Sequence, residues 1–101
     1  MSNNSETKSD RRKERHMDLL ILIEGEWKRI GTGRATDRNS PNLGSFYAIV
    51  AKLDEPRTFE KGQKIGLAPI GSPSPRQQFT VLEHAEPKAR SKEVRINCTK
   101  S

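Results

Sequence analysis

The chain has 101 residues, a formal net charge of +6, and 31% hydrophobic against 32% charged residues. That length fits one small domain, and an apolar share this low excludes a large enzyme core, since an average globular chain is about 45–50% apolar with glycine included. No apolar run approaches the about 20 residues of a membrane span. The single cysteine, Cys98, excludes an internal disulfide framework and a cysteine-based zinc cluster.

Residues 1–16 contain no large apolar side chain, only small polar and charged residues apart from Met1, and cannot bury enough surface to offset the entropy of ordering them. Arg11, Arg12, Lys13 and Arg15 stand before Leu19–Ile23 as in an export signal. That run is short, however, and Glu24, Gly25 and Glu26 occupy the place of a cleavage site. The expectation is a cytoplasmic protein with a reduced thiol. After residue 83 the chain is again mostly polar, with Val94 and Ile96 as its large aliphatic side chains. A disordered basic arm over 1–16, a small β domain over 17–83 and a mobile basic tail over 84–101 follow, the tail holding an optional extra strand at 94–98.

Leu19 to Ile23, rich in branched side chains and closed by Glu24-Gly25, predicts a buried strand ending in a turn. A helix over 9–23 is the competitor, weakened because its apolar positions cluster at one end. Trp27 to Thr36 predicts a polar strand in which Gly31 and Gly33 mark a bulge or bend. Asp37 to Gly44 reads as a loop. Ser45 to Leu53 is apolar at both parities, the pattern of a central strand covered on both faces. Lys64 to Ile70, with Pro69 near its end, predicts an edge strand. Gly71 to Pro75 predicts a stiff connector and Gln78 to Glu83 a fifth strand. The fold class is mainly β: a small five-stranded, barrel-like antiparallel sheet, OB-like or SH3-like, with disordered basic arms at both ends.

Catalysis finds little support. His16 and His84 stand apart, no metal-ligand spacing occurs, and Gly31-Thr32-Gly33 lacks the rest of a phosphate loop. The expectation is a non-enzymatic protein without a metal or cofactor; convergence of Glu24, Glu26 and His84 is the arrangement that would argue otherwise. Charge is more informative. Lys28, Arg29, Arg34 and Arg38 fall within eleven residues whose one acid is Asp37, and Trp27 stands at their head. Arginine forks match phosphate oxygens and exposed rings stack on bases. Trp27, Lys28, Arg29, Arg34, Arg38 and Tyr47 are therefore the predicted nucleic-acid-binding residues. Phe46 is the alternative ring to Tyr47, because only one of two adjacent strand residues faces outward. Lys88, Arg90, Lys92, Arg95 and Lys100 form a further basic cluster in the tail.

The expected partner is nucleic acid, single-stranded DNA or RNA over duplex, with no membrane contact. The alternative is an adaptor or inhibitor that binds another protein, and a homodimer through a strand edge is a further possibility. Trp27-Lys28-Arg29, a polar loop to Gly44, Phe46 to Pro56 with its Lys52-Leu53-Asp54, and Ile65 to Ile70 together resemble a group of small uncharacterised proteins of bacterial plasmids, integrative conjugative elements and phages. The resemblance spans residues 27–70. It implies a mobile-element accessory protein with a small β-fold, and carries over no functional residue.

Overall fold

A computed structural model describes residues 16–42 and 44–101. Six strands follow one another: β1 (Met17–Ile23), β2 (Glu26–Ser40), β3 (Gly44–Leu53), β4 (Lys64–Ala68), β5 (Gln77–Val81) and β6 (Glu93–Lys100). They close into an antiparallel barrel in the order β1-β2-β3-β6-β5-β4, with β4 returning to β1. Two three-stranded meanders, β1-β2-β3 and β4-β5-β6, are thus joined along both sides by β1 with β4 and β3 with β6. Among the described residues no helix is long and apolar enough to cross a membrane.

Local chemistry accounts for the turns. Glu24 and Gly25 both take positive φ, 53° and 83°, as a two-residue hairpin loop requires to match strand twist. The expected irregularity in β2 is present: Leu19 pairs with Gly31 while Leu20 pairs with Arg29, leaving Ile30 as the extra residue of a bulge. Gly31 is needed there for space, since a Cβ would lie 2.3 Å from the carbonyl oxygen of Lys52. The bend brings β2 against β3 closely enough to curl the sheet.

The interior is filled from alternate positions of every strand. Leu19 and Ile21, Ile49, Ala51 and Leu53, Ile65 and Leu67, Phe79 and Val81, and Val94, Ile96 and Cys98 are all buried in one cluster. Phe59, from the segment between β3 and β4, closes one end. It exchanges two backbone hydrogen bonds with Ala85, at 2.8 and 2.9 Å, and is fully buried. At the other end the Tyr47 ring meets the edge of Phe79, with centroids 5.5 Å apart. Outside the barrel, the connector after β4 lies against β1 and β4. Gly71 N–H donates to Asp18 at 2.8 Å, and Pro75 stands over Gly66.

Several expectations need correction. The barrel has six strands, because Glu93–Lys100 is a full member between β3 and β5 instead of an optional strand in a tail. The compact body consequently runs past 83 to Lys100. A strand whose large apolar residues are two in number fails to stand out by composition, yet Val94, Ile96 and Cys98 alternate inward as a half-buried strand should. β4 is paired on both sides and is no edge; Pro69 falls just beyond its last residue. β3 is covered on one face, with Val50 42% exposed on the other. Asp37–Ser40 continues β2 instead of opening a loop, and the turn begins only at Pro41. Helix is excluded for 17–23. The expected arm over 1–16 lies, apart from His16, outside the described residues.

Candidate nucleic-acid interface

Cross-strand register decides which side chains share the outer surface of β2, β3 and β6. Partners opposite one another point to the same side of the sheet. Arg34 pairs with Val50 and Val50 with Arg95, so two guanidinium side chains flank an exposed valine in one row across three strands. Adjacent rows place Thr32 beside Lys52 and Glu93, Thr36 beside Ala48 and Asn97, and Arg38 beside Phe46. With strands about 4.8 Å apart, Arg34 and Arg95 root about 10 Å from each other. That is close to the screening length of physiological salt. None of Arg34, Arg38, Lys52 and Arg95 has a carboxylate partner among the described residues. Glu93 beside Lys52 is the one acid in these rows, so four cations against one carboxylate leave this surface net positive and attractive to anions.

The predicted residues divide between this surface and other places. Arg34 and Arg38 belong to it. Tyr47 does not: it shares the inward parity with Ile49 and packs on Phe79, so Phe46, half-buried beside Arg38, is the ring on the outer side. Trp27 pairs with Leu22 at the far end of β2, half-buried and seven residues from Arg34, about 20 Å along the strand. Lys28 is exposed at that same end, opposite Ile21.

Arg29 has a different task. Its Nε donates to Oδ1 of Asp18 at 3.1 Å and its Nη1 to Oδ2 of Asp54. Asp18 is the one buried charged residue among those described, 4% exposed. Its second oxygen accepts from Gly71 N–H, so every partner it has is spoken for. The guanidinium of Arg29 is held above its ordinary range, first by the hydrogen bond to Asp18; desolvation opposes this as the next largest effect, and the charges of Asp54 and Asp18 add to the rise. Two carboxylates on one guanidinium leave this cluster net negative. It separates the Trp27–Lys28 end from the basic surface.

Lys52 and Arg95 were missed as members. Lys52 was legible as an outward position of its strand; Arg95 was grouped with the tail, because its neighbour across the sheet depends on which strand β6 joins. His84 meets neither Glu24 nor Glu26. Its Nδ1 lies 2.9 Å from Glu60 and its Nε2 3.0 Å from Glu86, and these two hydrogen bonds, the one to Glu60 foremost, raise its pKa above the ordinary histidine value. Burial pushes the Cys98 thiol up to about 12, which leaves it without nucleophilic character at neutral pH. Set against protein-family models, curated proteins and solved structures, the chain matches none.

Proposed function

We propose that the protein is a non-enzymatic nucleic-acid-binding module, an accessory protein of a mobile genetic element, whose contact surface is the outer side of β2, β3 and β6. The observation that carries this reading is the row Arg34–Val50–Arg95, two unpaired guanidinium groups either side of an exposed apolar side chain. Arg38 and Lys52 extend the charge along the strands, and Phe46 offers a ring beside Arg38. Arginine meets phosphate oxygens with a planar fork, while Val50 and Phe46 give sugar and base an apolar surface between the charges. Such a surface tracks a flexible backbone and favours single strands.

The test is binding of a fluorescent oligothymidylate by the wild type and by the double variant Arg34→Ala, Arg95→Ala. Each phosphate contact on a single strand contributes about −0.7 to the slope of log K against log salt. Losing two should reduce the slope by about 1.4 and leave the fold intact. An unchanged slope in a folded double variant removes this surface as the contact site. Exposed Val50 at the centre of a basic rim also suits an acidic protein surface, the adaptor reading. There, affinity for nucleic acid is absent, and Val50→Asp abolishes capture of the partner.

A further inference from the structure

A second basic site lies at the end of the barrel closed by Phe59. Arg57 has its guanidinium over the Phe59 ring, 5.9 Å from the centroid, on a residue that is itself fully buried. Its Nε is buried and meets no acceptor among the described residues, and no carboxylate pairs with it. A buried, charged donor without an acceptor is costly and is rare in native proteins. The ring thus positions a half-buried arginine whose Nε is left without an acceptor, with Asp54 and Glu55 lining its other side but not pairing with it.

Arg57 lines a groove of about 440 Å³ together with Thr58, Lys88, Arg90 and Ser91. Three cations face it against one acid, Glu86, whose carboxylate is held at 3.0 Å by His84. The turn that carries Lys88 and Arg90 is closed by a hydrogen bond from Ser91 N–H to Lys88 O at 2.9 Å. Ser91 Oγ accepts from Glu93 N–H at 3.0 Å, which leaves its own hydrogen to donate. Arg90, third residue of that turn, adopts φ of 65°, the left-handed conformation such a turn takes at this position, and this sets the direction in which its side chain leaves the backbone.

We propose that this groove binds a phosphomonoester. A diester carries one negative charge, whereas a monoester carries about −1.5 to −2 at neutral pH and better matches three cations and two hydroxyl donors. The groove adjoins a second, of about 450 Å³, which shares Glu86, Lys88 and Ser91 with it and runs past Glu93 to Val50 and Arg95. On the reading of the barrel face as a nucleic-acid surface, on which this choice of source rests, the monoester is the terminal phosphate of the bound strand. A free mononucleotide or phosphate ion is the other source of the same chemistry.

The experiment is titration of the ¹⁵N-labelled full chain with inorganic phosphate, with a mononucleotide, and with one oligothymidylate bearing either a 5′-phosphate or a 5′-hydroxyl. The readout is the Nε–Hε resonance of Arg57. Saturable shifts with the phosphate-bearing ligands are expected, together with about tenfold weaker binding in Lys88→Ala and in Arg90→Gly, the effect of one lost charge-assisted hydrogen bond. Arg90→Gly suits the left-handed backbone and keeps the fold. Tighter binding of the 5′-phosphorylated strand assigns the strand terminus. Shifts with mononucleotide or phosphate, and no oligonucleotide binding, assign a free ligand and refute the barrel face alone. Oligonucleotide binding indifferent to the 5′-phosphate, with Arg57 unmoved by every ligand, overturns the groove and spares the face.

Discussion

Replacing Arg29 by alanine separates a structural arginine from a binding one. The substitution removes the donor to Oδ1 of Asp18, whose side chain is 5% exposed, and leaves a buried carboxylate with Gly71 N–H as its one partner. An unsatisfied buried acceptor costs about 1–3 kcal/mol. The lost pair with Asp54, 58% exposed, adds at most about 1 kcal/mol. A fall in stability of about 2 kcal/mol is expected, which for a domain of this size lowers Tm by roughly 8–16 °C. Urea and thermal unfolding measure it, with Asp54→Ala as a control expected to lose about 1 kcal/mol or less. The salt slope for oligonucleotide binding should stay that of the wild type in the folded fraction. An Arg29→Ala protein as stable as the wild type would refute the role of Arg29 in holding Asp18.

Gly31→Ala forces a Cβ to within 2.3 Å of Lys52 O and should cost about 1–3 kcal/mol in urea unfolding; an unchanged midpoint contradicts the close approach of β2 and β3. Cys98, with its thiol pushed up to about 12, should stay unreactive toward a disulfide reagent at pH 8 until the protein is unfolded, and fast labelling of the native state would disprove its burial. His84 has a folded pKa above its ordinary 6.5, so its contacts with Glu60 and Glu86 stabilise the fold fully below that value and fade as pH rises through the folded pKa. The difference in stability between wild type and His84→Asn should be present at pH 5.5 and vanish at pH 9. A difference equal at both pH values contradicts that linkage.

The barrel was legible where hydrophobic pattern and turn chemistry act locally. Leu19–Ile23 closed by Glu24-Gly25, and the glycine pair of β2, needed no tertiary information. β6 and the outer surface did need it. Val94, Ile96 and Cys98 alternate correctly, but a strand this polar earns its place from the partners it closes against. The same holds for charge. Arg29 and Arg34 are alike in sequence, and what divides them is that Asp18 lies two register steps from one and Val50 opposite the other. Both parities of Ser45–Leu53 are apolar, so composition suggested two covered faces. The outward set is spent partly on Ala48, buried where Thr36 Oγ1 donates to its carbonyl at 3.2 Å, and partly on Val50, which solvent reaches. Choosing between Phe46 and Tyr47 likewise required the register, which turned Tyr47 inward onto Phe79.

The most direct measurement is the affinity of the wild-type chain for a single-stranded oligonucleotide, followed by fluorescence anisotropy from low to physiological salt. Four unpaired cations, Arg34, Arg38, Lys52 and Arg95, predict a slope of about −2.8 in log K against log salt. Absence of binding at low salt, or binding indifferent to salt, would contradict the assignment of this surface to nucleic acid.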